Sequence, residues 1–232
     1  MRFLIVITAR GGSKGIPKKN IRELCGKPLI CYSLDVAMKL CPVDDICVST
    51  DDEEIVSVVE NYGVKVPFRR PAELSTDDAG QYDVVRHAYN YYLSLGRKYD
   101  CIVLLQPTTP LRNVSDTKKQ IDSFMPDSDM VVSVCKASAN PYFVLFEEDD
   151  KGFLVKSKEG NFKRRQDCPP VWQYNGSCYV INPDSLLRYN SFNEFKRIRK
   201  FVMSSADSVD IDDELDWDFC EFLIMKSGIK KQ

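Results

Sequence analysis

The sequence predicts an α/β protein built on a doubly wound, mostly parallel sheet, and two observations carry that expectation. Five short apolar runs, at residues 3–7, 46–50, 65–68, 101–105 and 130–134, are rich in β-branched residues and read as buried strands. Helical patterns fill the intervals between them, which is the spacing of repeated strand–helix–strand units. With 232 residues and 44% apolar content, the chain can bury a full core as a single domain spanning 1–232.

The first strand breaks into a glycine-rich, basic loop over residues 9–20. Gly11, Gly12 and Gly15 let backbone N–H groups approach a ligand, and Arg10, Lys14, Lys18 and Lys19 add positive charge. Donors and cations just past a strand's carboxyl end suit a polyphosphate. The spacing fits neither G-x-G-x-x-G nor G-x-x-x-x-G-K-[ST], so a solvated basic turn is the competing reading. Pro28 favours the start of a helix over 28–40. A helix over 53–62 is stopped by Gly63, and another over 82–95 is followed by Gly96. A fourth helix follows Ser115, a candidate N-cap. Ligands in such sheets bind outside the strands' carboxyl ends, which directs attention to loops 9–12, 49–52 and 106–111.

From Asn140 the pattern changes. Short β-like pieces at 142–146 and 153–155 flank an acidic turn, a basic stretch follows at 163–165, and a strand is expected at 177–181. The segment at about 140–175 reads as a β-rich arm leaving the sheet.

A second chemical element lies at residues 208–214. If 209–212 is extended, Asp210 and Asp212 project from one face, ~7 Å apart along the strand. Such a pair can share a hard divalent cation with substrate phosphate oxygens. It can equally well supply an acidic N-cap, from Asp212 or Asp213, for a helix over 214–226. That helix carries Leu215, Phe219, Phe222 and Leu223 on one stripe.

The net charge of −2 gives no global basic field for nucleic acid or membrane, and no apolar run approaches the ~18 residues that span a bilayer. A strand at residue 3 leads us to expect no signal peptide. Nine cysteines without a C-x-x-C pair, beside a single histidine (His87), point to a reducing cytoplasm and away from zinc. His87, Trp172 and Trp217 are expected to be packing residues.

Seven blocks now stand in order: 9–20, 49–55, 68–75, 104–112, 164–167, 175–179 and 208–212 (ARGGSKGIPKKN, STDDEEI, FRRPAELS, LLQPTTPLR, RRQD, NGSCY, SVDID). Together they resemble the CMP-N-acetylneuraminate synthetases, the N-acylneuraminate cytidylyltransferase family, over nearly the whole chain. The resemblance implies a Rossmann-like sheet of the nucleotidyltransferase type with a dimerisation arm. It implies a reaction of CTP with a nonulosonic acid, a nine-carbon 2-keto sugar acid, giving the CMP-sugar and pyrophosphate with Mg²⁺. Carried residue by residue, it gives Arg10 and Lys19 to the triphosphate and the chemistry, with Lys14 assisting. It gives Asn20, Arg70, Gln81 and the backbone around Ala9, Gly11 and Ala79 to the nucleotide. Gln106, Asn175, Tyr179 and Arg165 fall at the sugar. Arg164 or Arg165 would reach, on the arm, into the neighbouring subunit of a homodimer, and Asp210 and Asp212 would hold the metal. Plainer roles compete: Asn20 as a loop cap, Arg70 as a surface arginine, Gln106 as a turn residue, the arm arginines as a solvated turn. The chain departs from the family pattern at Gly80 and Gln81, where relatives commonly carry serines, and at Phe143 and Gln173, where some carry cations. The sugar therefore stays open among N-acetylneuraminic, deaminated, legionaminic and pseudaminic types. Alternatives are an eight-carbon 3-deoxy-manno-octulosonate substrate or a non-catalytic nucleotide-binding relative.

Overall fold

A computed structural model describes residues 1–12 and 15–227. The chain begins with β1 (Phe3–Thr8), makes a small hairpin from β2 (Glu23–Leu24) and β3 (Lys27–Pro28), and enters α1 (Leu29–Leu40). Then follow β4 (Ile46–Ser49), α2 (Glu53–Asn61), α3 (Gln81–Ser94), β5 (Cys101–Leu105), α4 (Val114–Asp122) and β6 (Met130–Lys136). A hairpin of β7 (Phe146–Glu148) and β8 (Leu154–Lys156) precedes β9 (Trp172–Ile181), α5 (Pro183–Arg188), β10 (Ile198–Val202) and α6 (Glu214–Ser227).

Six strands form the central sheet in the order β10-β6-β9-β5-β1-β4. Only β9 runs antiparallel to its neighbours, so the expected mostly parallel sheet is present. Alternation along β1 feeds two cores: Leu4 and Val6 pack on the α3 side, Ile5 and Ile7 on the side of α1 and α2. All nine cysteines are free thiols, and five are fully buried, as small apolar side chains. No helix among the described residues is long and apolar enough to cross a membrane.

The differences from expectation have local causes. Residues 65–68 form no strand; the chain makes one isolated bridge, Thr50 to Arg69, because Pro67 interrupts the donors of this edge segment. Asn113, not Ser115, caps α4, its side chain accepting from the Asp116 N–H at 2.8 Å. Strand β9 starts at Trp172, so residues 172–175 belong to the sheet rather than to the arm. Strand β10 was not anticipated, since its outer edge is exposed and its sequence, Ile-Arg-Lys-Phe-Val, lacks a buried strand's apolar run.

The third core cluster positions the chemistry. Ile16, Leu24, Leu29, Ile211, Trp217, Cys220 and Ile224 pack together, clamping the loop after β1 and the segment before α6 into one unit. Arg22 lies over the Trp217 ring at 4.3 Å. The face of α6 that packs inward is therefore Trp217, Cys220 and Ile224. The stripe noted in the sequence faces outward: Leu215, Phe219 and Phe222 are 77%, 48% and 54% exposed.

Candidate active site

A cavity of about 430 Å³ opens at the carboxyl ends of β1 and β5. Its wall includes Arg10, Gly15, Lys19, Asn20, Arg70, Ala79, Gln81, Gln106 and Asp212. Of the three loops read from sequence as ligand-facing, 9–12 and 106–111 contribute to this wall, while 49–52 supports the first of them through the Ser49 carbonyl and the Asp51 side chain.

The basic loop is held by its own backbone. Ala9 N–H donates to the Ser49 carbonyl (3.0 Å), Gly11 N–H to Asp51 Oδ1 (3.2 Å), and buried Asn20 donates to the Arg10 carbonyl (3.0 Å). A side chain at Gly11 would strike the Asp52 carboxylate, and one at Gly15 would strike the Asp212 carbonyl. Glycine is needed there for close approach, which brings the basic loop against the acidic segment. Arg10 donates to the Thr76 carbonyl (3.1 Å) and pairs with Asp77 (2.9 Å). Lys19 Nζ donates to the Ile211 carbonyl (2.6 Å). Lys14 lies outside the described residues.

Arg70 is not a surface arginine. It is buried, bonded through Nε to Ser49 Oγ (3.0 Å) and through Nη2 to the Ser49 carbonyl. Burial pushes its guanidinium down to about 10, which keeps it cationic at neutral pH. Across the cavity, Gln106 Nε2 donates to Gln81 Oε1 (2.7 Å), and Gln81 Nε2 donates to Thr8 Oγ1 (3.3 Å). Gln81, at a departure from the family pattern, therefore fixes the orientation of the Gln106 amide.

In the acidic segment the cap of α6 falls to residues other than the 210 and 212 pair. Asp213 Oδ1 accepts from the Asp216 N–H (3.0 Å), while Asp216 Oδ2 accepts from the Asp212 and Asp213 N–H groups (3.0 and 3.2 Å). The cap is thus made by Asp213 and Asp216. The side chains of Asp210 and Asp212 take no part in it. Ile211 N–H donates to the Thr108 carbonyl (2.8 Å), docking the segment beside the β5 loop. Burial raises the Asp210 carboxyl above its ordinary value, opposed by the Thr108 hydroxyl and by the charges of Lys19 and Arg112. Its Oδ1 is buried without a hydrogen-bond partner, and Oδ2 faces the α-carbon of Gly176, where an added Cβ would lie 2.6 Å away. A buried anionic oxygen lacking a donor fits a hard cation. No cluster of three acidic, Cys or His ligands exists among the described residues. Such an ion would complete its shell with water and phosphate oxygens, as Mg²⁺ does.

Arg112 is a residue that sequence reading passed over, although it closes the LLQPTTPLR block. It is buried, donating to Ser33 Oγ (3.0 Å), Ser177 Oγ (3.3 Å) and the Gln106 carbonyl. Burial lowers it to about 10, and Asp210 opposes that shift. It ties α1, β9 and the β5 loop together beneath Gln106. Arg112→Lys retains the charge but not the fork of donors. It is expected to cost ~1–3 kcal/mol, read as a melting temperature lower by ~2–4 °C per kcal/mol.

Other sequence-selected residues stand away from the cavity wall. Asn175 is buried, donating to Ser208 Oγ (2.8 Å) and accepting from Ser133 Oγ (2.6 Å) and the Ser177 N–H (3.2 Å). Its amide stitches β9 to the segment leading into Asp210. Tyr179 stacks on Phe192 at 6.3 Å, and burial pushes its phenol up to about 12. Arg164 pairs with Asp167 (2.9 Å) and, like Arg165, is exposed on the arm rather than at the cavity of its own chain. His87 packs edge-on against Phe68 at 4.8 Å, in keeping with a packing role.

Comparison with known proteins gives one consistent result. A family profile described as cytidylyltransferase matches residues 4–215. The chain is 36% identical to "Post-translational flagellin modification protein B" of Campylobacter coli, over 98% of this chain and 97% of that one. It is 38% identical to "CMP-N,N'-diacetyllegionaminic acid synthase" of Campylobacter jejuni, over 96% and 94%. Among solved structures, a CMP:2-keto-3-deoxy-manno-octonic acid synthetase complexed with CTP superposes with a TM-score of 0.73 at 18% identity, covering 98% of this chain and 100% of the other. At that identity the likeness establishes the nucleotidyltransferase-type fold.

Proposed function

The chain belongs to the cytidylyltransferase family, and on that premise we propose that it joins CTP to a nonulosonic acid, releasing pyrophosphate. The observation that carries this reading is the convergence of Arg10, Lys19 and Asp212 on one cavity, with Asp210 set behind its wall within reach of the Lys19 charge and with α6 capped by other residues. A legionaminic-type acid is the expected best substrate, since a relative of that printed activity is 38% identical over nearly its full length, against 32% for one printed as acting on pseudaminic acid.

Arg10 and Lys19 would bind the triphosphate through charge-assisted hydrogen bonds of ~1.5–3 kcal/mol each. They also face the charge that builds on the departing pyrophosphate. Asn20 and Arg70 hold the basic loop and the β4 end where the nucleoside would rest. Gln106, oriented by Gln81, offers an amide to the sugar. Asp210 and Asp212 would hold Mg²⁺, which when bound withdraws charge from the phosphate oxygens. The sugar's anomeric hydroxyl forms a bond to the α-phosphorus and gives up its proton to the solvent, as the bond to the β-phosphate oxygen breaks and pyrophosphate leaves. Positioning and electrostatics supply most of the rate in such transfers.

The same reading makes the enzyme a homodimer. The arm is closed at its base by Asn140, which donates to the Pro169 carbonyl (2.9 Å). Its β7–β8 hairpin leaves Phe153 and Leu154 66% and 70% exposed, and a second copy is the simplest cover for them. Arg164 and Arg165 would then complete the partner's sugar pocket, where a carboxylate calls for a cation.

Pyrophosphate release from CTP with a panel of eight- and nine-carbon keto sugar acids tests the proposal. Turnover only with a nine-carbon acid supports it, and preference for an eight-carbon acid, or none with any, overturns it. Arg10→Gln and Lys19→Gln are each expected to lower kcat/KM by ~10²-fold or more, with little change in melting temperature. Equal use of ATP or GTP would remove the nucleoside roles of Asn20 and Arg70.

A further inference from the structure

We propose that the side-chain carbonyl of Gln106 is a third protein ligand for the divalent cation, and that Gln81 is the residue that turns this oxygen toward it; this rests on the metal reading above and adds to it. A side-chain amide has a donor end and an acceptor end, and fixing one end decides what the other can do. The donor end of Gln106 is spent. Its Nε2 donates to Gln81 Oε1 (2.7 Å), and Gln81 Nε2 donates on to Thr8 Oγ1 (3.3 Å). This relay starts on β1 and stops at Gln106, so Oε1 is the atom left over. A serine at 81, as relatives commonly carry, is too short to span from Thr8 to Gln106.

Gly176 shows where Oε1 points. This glycine of β9 has φ +69°, and the place where its Cβ would stand lies 2.5 Å from Gln106 Oε1 and 2.6 Å from Asp210 Oδ2. An amide oxygen and a carboxylate oxygen thus lie side by side over one bare α-carbon. Both are acceptors, and among the described residues no hydrogen bond reaches Gln106 Oε1. Asp210 Oδ1 is likewise buried without a partner. Oxygens gathered without donors suit a hard cation, which takes amide carbonyls as readily as carboxylates. Gln106 and Asp212 both line the cavity, so the candidate oxygens come from the β5 loop and from the segment before α6. The two backbones are tied together, Ile211 N–H to the Thr108 carbonyl (2.8 Å), and Arg112 holds the Gln106 carbonyl from beneath. The oxygens are therefore placed before any ion arrives. The amide oxygen has two lone pairs, so the metal does not take it from the sugar.

Mn²⁺ alone is the probe, titrated into the full chain without nucleotide or sugar and followed by the paramagnetic resonance of the free ion. The wild type is expected to bind, and Asp210→Asn to lose that binding. Gln106→Ala is expected to weaken Mn²⁺ binding by at least about tenfold, and Gln81→Ser by about tenfold, as loss of a group that orients a ligand does. Gln106→Glu keeps an oxygen in place and adds charge. Gln81 can turn over to donate to it, because the Thr8 hydroxyl donates as well as accepts. That variant is expected to bind at least as tightly as the wild type. Circular dichroism checks that each variant is folded. If Gln106→Ala and Gln81→Ser bind Mn²⁺ as the wild type does while Asp210→Asn does not, the third ligand is overturned and the carboxylate pair stands. Equal weakening by Gln106→Ala and Gln106→Glu overturns it as well, since the oxygen would then have no part in binding. A wild-type chain that binds no Mn²⁺ removes the metal reading together with this one.

Discussion

Asp210→Asn and Asp212→Asn are each expected to lower kcat by at least ~10²-fold with the fold intact. The expectation follows from the division of labour in the acidic segment. The cap of α6 uses Asp213 and Asp216, so neither substitution removes a capping bond. Stability supplies a readout independent of turnover. Because burial raises the Asp210 carboxyl, its contribution is favourable while it is protonated and is lost as pH rises through its folded value. At neutral pH without metal, the ionised side chain is therefore a cost, and Asp210→Asn should melt no lower than the wild type. Wild type should gain on the variant as pH falls toward the ordinary carboxyl range. Mg²⁺ should raise the melting temperature of the wild type and not of the variant, since only the wild type binds it. If both variants keep near-normal turnover at saturating Mg²⁺, the metal sits elsewhere.

The sheet was legible because its central strands carry an unbroken apolar pattern: residues 101–105 and 4–7 are buried on both faces and read as strands without help from context. The edges were not. Residues 65–68 have strand-like composition but contain Pro67, and β10 has a polar sequence that becomes a strand only by pairing with β6. Register in such segments is a tertiary fact. The site divides the same way. The glycines and cations of the first loop announce themselves locally. The Gln81–Gln106 pair and the Arg112 bonds to Ser33 and Ser177 span 25 to 79 residues in sequence, which no spacing reveals. The α6 stripe was visible in the sequence, but its orientation was not. The helix has two apolar faces, and pattern alone cannot say which one Trp217 claims.

Mixing two inactive chains is expected to restore activity. One chain carries Arg164→Ala/Arg165→Ala and the other Asp210→Asn. In the proposed dimer each site takes its carboxylates from one chain and its arm arginines from the partner. In the heterodimer, the chain with intact Asp210 receives the intact arm and forms a wild-type site, while the other site lacks both elements. Random exchange at equal concentrations makes half of the dimers mixed, so about a quarter of all sites become competent. The parents should show little turnover, because a sugar carboxylate left without its arginine, or a metal left without its ligand, loses stabilisation in the transition state. The arm variant should fold normally. Arg164 pairs only with Asp167 among the described residues, at an exposed position where such pairs are worth ~1 kcal/mol or less. Recovery toward a quarter of wild-type activity on a time course matching subunit exchange is the expected signature. Mixtures of demonstrably exchanged subunits no more active than either parent would mean that each chain builds its site alone, and the exposed arm would then serve assembly without reaching the sugar.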